Sequence, residues 1–79
     1  MVIAEPLAPE DVAALAAELA QGASPAFRLV LADELRASAE RLGRWRFTDP
    51  ADVRVQTAIF ASMRALAEAV ELWTERTPS

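Results

Sequence analysis

Several residue types that carry chemistry are missing from this 79-residue sequence. It has no cysteine and no histidine, and every base is an arginine because lysine is absent as well. Without cysteine, neither a disulfide framework nor a thiolate metal site can form. Without histidine, the commonest metal ligand and general base is lost. These absences predict a non-catalytic protein with no catalytic residues, metal site, cofactor or small-molecule substrate.

Long apolar runs and a basic leader are lacking too. No stretch approaches the roughly 18 apolar residues of a membrane-spanning helix. The first residues, MVIAEPLAPED, have neither the basic start nor the apolar core of a secretory signal. We therefore expect a cytoplasmic protein with no membrane partner. The net charge of −4 argues against a general nucleic-acid binder.

Alanine is the residue in excess, with eighteen copies. It favours helix but buries little apolar area. A chain of this length forms one domain and buries only about 60% of the surface that its unfolded form exposes. We therefore predict a single all-α domain that gains part of its core from a protein partner or a second copy.

The predicted fold is a long antiparallel helical hairpin with a short N-terminal helix packed across its open end. Residues 1–7 are expected to form a flexible arm, and the three helices to span 9–21, 25–43 and 50–75.

Local signals set these bounds. Ser24 and Asp49 are predicted N-caps, each followed by a proline at the first helical position. Gly22 suits a left-handed C-cap after helix one, and Gly43 is expected to stop or kink helix two.

The third helix has two apolar faces. Its large side chains recur at coiled-coil period at Ile59, Met63, Leu66, Val70 and Trp73. A second stripe of mostly small side chains consists of Val55, Ala58, Ser62, Ala65, Ala69 and Leu72. Because small residues allow close approach of another helix, this small-residue stripe is the predicted partner-binding site. The alternative is that helix one packs there.

Folding the hairpin across residues 44–48 predicts its register. The expected opposite pairs are Leu42 with Val53, Leu35 with Phe60, and Leu31 with Met63. Trp73 then extends beyond helix two, and Leu15 and Leu19 of helix one are its expected cover.

The turn RWRF at 44–47 alternates arginines with aromatics. One interpretation is a base-stacking, phosphate-binding tip, although Asp49 and Asp52 would repel phosphate. In the other interpretation, Trp45 continues the helix-two stripe and closes the end of the core. The candidate partner contacts left at the tip are then Arg44, Arg46 and Phe47.

Charged side chains give weaker signals. Arg36 and Glu40 are four residues apart and are expected to pair on the outer face of helix two. Glu68, Glu71 and Glu75 share one face of helix three. We interpret that face as solvated, with a contact for a basic partner as the alternative.

The order of elements also carries a resemblance. The segments are LAAELAQGASP, FRLVLADELRASAERL, a turn with TDP, and VQTAIFASMRALAEAVELW. Over residues 12–76 the chain resembles the small YscE/PscE-type chaperones of bacterial type III secretion. The resemblance implies a helical hairpin that pairs with a tetratricopeptide-like chaperone. Together such a pair holds the needle subunit soluble and unpolymerised.

Small helical-hairpin proteins encoded among phage head and packaging genes are similar in spacing. That resemblance implies the alternative function, a self-associating structural or packaging-associated protein. A third hypothesis is nucleic-acid binding through the tip.

Overall fold

The computed structural model describes residues 5–76, with side chains as far as Trp73. Its helices are α1 (Pro9–Gln21), α2 (Pro25–Arg44) and α3 (Pro50–Arg76). Helices α2 and α3 form an antiparallel hairpin, and α1 packs on α3. The predicted all-α fold is thus confirmed.

The segment before α1 was predicted to be a flexible arm. Residues 1–4 of that arm lie outside the described residues. Leu7 is held against α3, because its N–H donates to Ser62 Oγ at 3.0 Å. The hydroxyl of Ser62 in turn donates to the Ala58 carbonyl at 2.8 Å. The end of the arm is therefore attached to the middle of the hairpin.

The N-caps of α2 and α3 are as predicted. Ser24 Oγ accepts a hydrogen bond from the Phe27 N–H at 3.2 Å. Asp49 Oδ1 accepts one from the Ala51 N–H at 2.9 Å, and the Asp49 carbonyl accepts the N–H of Val53. Each cap satisfies a donor that the first helical turn leaves without a partner.

The C-terminus of α1 is capped by a side chain from α2. Gly22 has φ −89° and ψ 1°, so the predicted left-handed glycine cap is wrong. Arg28 Nε instead donates to the carbonyls of Ala20 (2.9 Å) and Ala23 (3.1 Å). A cation at this end of a helix also complements its dipole. Arg28 therefore joins α1 to α2 where few other contacts do.

Helix α2 ends at Arg44, one residue past Gly43 and close to the predicted end. A Cβ atom at position 43 would lie 3.2 Å from Cε2 of Phe60. The absent side chain therefore lets the Phe60 ring of α3 approach the backbone of α2. Sequence spacing did not reveal this contact, because the ring comes from a distant part of the chain.

The hairpin register differs from the predicted one. Gln56 Nε2 donates to the carbonyls of Leu42 (2.6 Å) and Trp45 (2.8 Å), so Gln56 rather than Val53 lies opposite Leu42. Phe60 likewise lies against Gly43, not Leu35. The linker 45–48 is not helical, and the first turn of α3 is exposed beyond the end of α2. This overhang shifts the pairing by about one to two helical turns.

Alanine dominates the core of the described residues. The buried side chains are Val12, Ala16, Ala20, Ala32, Ala39, Ala58, Leu66, Ala67 and Val70. One contiguous cluster joins Val12 and Ala16 of α1, Ala32 of α2, and 66–70 of α3. Within the predicted large-residue seam, Leu66 and Val70 are buried, whereas Ile59, Met63 and Trp73 are half-buried.

The expected cover of Trp73 by Leu15 and Leu19 stays a prediction. Leu15 and Leu19 are each 37% exposed. Helix α1 packs through Val12 and its alanines, because these place the α1 backbone close to α3. The two leucines consequently lie at the edge of the contact and face solvent.

Among the side chains that the structure describes, one ion pair connects the hairpin helices. Arg36 of α2 donates to Glu71 Oε1 of α3, so the predicted pair of Arg36 with Glu40 is wrong. The hydrogen bond lowers the pKa of Glu71 and raises that of Arg36. Glu71 is thus not simply part of a solvated face. Glu68 is exposed, and the side chain of Glu75 lies outside the described residues.

We expect Arg28→Met to lower the free energy of unfolding by about 1–2 kcal/mol. Methionine retains the apolar stem but cannot donate to the Ala20 and Ala23 carbonyls. Urea denaturation measures the loss, and Arg54→Met, at an exposed arginine, is the matched control. Equal effects of the two changes would contradict the capping role.

Glu71→Gln should flatten the acid limb of the stability profile. The pKa of Glu71 is lower in the folded chain than in the unfolded chain. The unfolded state therefore binds more protons as the pH falls, and the stabilisation present at neutral pH is lost through the folded pKa. Denaturation between neutral pH and the acid range measures this, with Glu40→Gln as the control. An unchanged acid limb in Glu71→Gln would contradict the linkage.

Candidate interaction surface

Many large apolar side chains of this protein are exposed, and few are fully buried. Six of the nine buried residues are alanines, and Val70 is the largest side chain that is fully buried. The exposed large apolar residues are Leu7, Leu15, Leu19, Phe27, Leu29, Val30, Trp45, Phe47, Val53 and Leu72. Single exposed hydrophobic residues are normal, but adjacent ones indicate an interaction surface.

The small-residue stripe is only partly open. Ala58 is buried, and Ser62 is hydrogen bonded to the backbone of Leu7. Ala69 packs on the core cluster that includes α1. Of the two interpretations weighed from the sequence, packing of the N-terminal segment and α1 therefore accounts for the middle of the stripe. The parts that remain accessible are Val55, Ala65 and Leu72.

A groove runs between α1 and the end of α3. It has a volume of about 280 Å³ and is lined by Ala13, Ala16, Ala69, Leu72 and Trp73. Leu72 is 41% exposed at this groove. The indole Nε1 of Trp73 is buried and makes no hydrogen bond. An unsatisfied buried donor is costly, so this indole is a local cost in the isolated chain.

The tip does not have the conformation expected from its spacing. Trp45 is the C-cap of α2, with φ −69° and ψ 140°, and therefore leaves the helical stripe. Its side chain is 63% exposed and its ring centroid lies 6.2 Å from that of Phe47. The prediction that Trp45 closes the core is wrong, because α2 has already ended before this residue.

Phe47 rather than Trp45 lies against the end of the hairpin. A cleft of about 290 Å³ is lined by Leu42, Phe47, Asp52, Val55, Gln56 and Ile59. An apolar cavity of about 150 Å³ holds benzene, so this cleft has room for an aliphatic side chain. The predicted tip contact Phe47 and the stripe residue Val55 thus line one cleft.

Exposed arginines occur in the same part of the chain as this cleft. Arg44, Arg46 and Arg54 are exposed and have no ion pair among the residues whose side chains are described. Opposing them are Asp49, which accepts a backbone hydrogen bond, and Asp52, which lines the cleft. The tip therefore combines free cations with apolar side chains, a composition typical of binding hot spots.

The open end of the hairpin carries apolar residues that sequence reasoning missed. Phe27 and Val30 lie one turn apart on the exposed side of α2, and Leu15 and Leu19 do so on α1. Their apolar character predicted burial. The alanines near them in the sequence could have predicted their exposure. Alanines allow a closer contact between helices, and larger residues then do not fit inside that contact.

The described residues offer little for other functions. No group of three or more His, Cys, Asp and Glu side chains among them could hold a metal ion. None of the three helices, as far as they are described, combines the length and apolar character that crossing a bilayer requires.

Comparison with known proteins adds no assignment. No protein-family model, curated protein or solved structure matches this chain. The surfaces are therefore interpreted from the contacts, burial and charges of this chain alone.

The two tryptophans should report different environments. We expect the Trp73→Phe variant, which retains exposed Trp45, to be quenched more steeply by acrylamide than Trp45→Phe, which retains half-buried Trp73. Fluorescence titration measures the difference, and circular dichroism checks that both variants stay helical. Equal protection of the two indoles would contradict the extended linker.

Proposed function

We propose that this protein is a non-catalytic helical interaction protein that binds a protein partner. The observation that carries the proposal is the inverted distribution of apolar residues. Alanines form most of the core, while leucine, phenylalanine and tryptophan side chains lie exposed. A partner that covers these side chains would supply apolar burial that the chain alone lacks.

The groove between α1 and α3 is the proposed partner site. It places exposed Leu72 beside half-buried Trp73, whose N–H has no acceptor. A partner helix could insert one side chain between the alanines, beside Leu72. Helix-in-groove recognition uses this kind of surface. The exposed Ala65 lies two turns before Leu72 on α3 and would extend the contact.

The partner that fits best is a helical-repeat protein. The helix order resembles that of the YscE/PscE-type co-chaperones, and the confirmed hairpin is compatible with this resemblance. We accordingly propose that the pair keeps a polymerising subunit soluble in the cytoplasm. The alternative is a small phage-type structural or packaging-associated protein that self-associates.

Leu72→Glu and Ala65→Glu should each weaken binding of the helical-repeat partner by about tenfold or more, because each places a charge in an apolar contact. The partner to test is a tetratricopeptide-type repeat protein, with affinity measured by isothermal titration calorimetry. Val53→Glu, at an exposed valine in the first turn of α3, is the matched control.

Circular dichroism separates loss of binding from loss of folding. If both glutamate variants fold and bind with unchanged affinity, the groove is not the partner site. If the wild-type chain does not bind the helical-repeat protein at all, the co-chaperone proposal is wrong.

A further inference from the structure

The cleft at the tip and the outer face of α1 are complementary in charge and in shape. The tip offers an apolar cleft, and exposed Arg44 and Arg46 lie in the same tip as Phe47, which lines that cleft. Neither arginine has an ion pair among the described side chains, although the acids Asp49 and Asp52 belong to the same tip.

The outer face of α1 offers apolar side chains and carboxylates. Leu15 and Leu19 are exposed there, one helical turn apart. Asp11 and Glu18 lie on the same side of α1, at positions four before and three after Leu15, and both are exposed. Neither carboxylate has an ion pair among the described side chains.

The two surfaces cannot meet within one chain. Helix α1 packs against α3 at Leu66–Val70, whereas the cleft is lined by α3 residues 52–59. Eleven residues separate Gln56 from Ala67, which corresponds to about 16 Å along a helix. Leu15 and Leu19 lie at the edge of the contact of α1 with α3, where each is 37% exposed.

We propose that the tip of one copy docks on the outer face of α1 of a second copy. A leucine of α1, Leu15 or Leu19, enters the cleft beside Phe47. Glu18 and Asp11 lie near the tip arginines, and this match sets the orientation. Asp52, which lines the cleft, and Asp49 in the same tip are charges that oppose an acidic partner.

This contact joins two different surfaces, so each copy retains one free tip and one free α1 face. Such a heterologous contact produces open chains, or rings if the rotation closes. The interaction does not depend on the groove beside Leu72 and Trp73, and the helical-repeat partner is not required for it.

Charge reversal on each surface tests the contact. The tip variant is Arg44→Glu with Arg46→Glu, and the α1 variant is Asp11→Arg with Glu18→Arg. Wild-type chain should self-associate with rising concentration in sedimentation velocity at low salt, and less so at high salt. Each variant alone should associate about tenfold more weakly or worse, because like charges then face each other.

Mixing the two variants is the decisive measurement. In the mixture, the acidic tip of the tip variant can bind the basic α1 face of the α1 variant. The tip of the α1 variant and the α1 face of the tip variant are both wild-type, so they can bind each other as before. The equimolar mixture should therefore recover wild-type association. Asp11 lies in the first turn of α1, where a cation opposes the helix dipole, so Glu18→Arg is also tested alone. Glu40→Arg, an exposed reversal on α2, is the control.

Three results would overturn the proposal: a wild-type chain that stays monomeric at high concentration and low salt, association that both reversals leave unchanged, or a folded mixture that does not recover. Tight, salt-dependent binding of a single-stranded oligonucleotide that competes with association would assign the tip to nucleic acid instead. Leu72→Glu should leave self-association unchanged, which separates failure of this contact from failure of the partner site.

Discussion

Close approach of helices through alanine is the constraint on which the rest of the structure depends. Where α1 crosses α3, Ala16 and Ala67 are buried, and Ala32 brings α2 to the same cluster. Residues with one side-chain carbon let backbones come near, but they contribute little apolar area. Larger side chains beside them, such as Leu15, no longer fit inside the contact. The alanines that allow the helices to pack closely therefore leave larger apolar residues at the surface.

The ends of the helices show how such close packing is completed by long side chains. Arg28 crosses from α2 to cap α1, and Gln56 crosses from α3 to cap α2. Each satisfies carbonyls that the last helical turn leaves free. Because these side chains bind the carbonyls at the ends of α1 and α2, no left-handed glycine cap is needed at Gly22. For the same reason the backbone at Trp45 can be extended directly after α2 ends.

Local signals in the sequence predicted the three helices and their N-caps, since Ser24 and Asp49 act within three residues of themselves. The long-range features could not be read in this way. Spacing placed Phe60 opposite Leu35, but it cannot measure how far α3 projects beyond α2. Nor can it show that Gly43 accommodates a ring from another helix. For the candidate sites, the sequence indicated Phe47 and Leu72 but not the α1 leucines. The exposure of those leucines depends on which residues of α1 come closest to α3, and spacing alone does not show that.

The distribution of charge adds a direction to this apolar surface. The tip arginines and the acids of α1 lie at separate places along the hairpin, and the described side chains give neither set an ion pair. Opposite charges on one chain, held too far apart to neutralise each other, attract between copies and repel when like surfaces approach. Once two copies are close, a leucine of α1 can fill the apolar cleft at the tip of the other copy. The charges therefore act at long range, and the apolar contact acts at short range. Orientation thus comes from the charges, and most of the affinity from the apolar residues that the alanine core excludes.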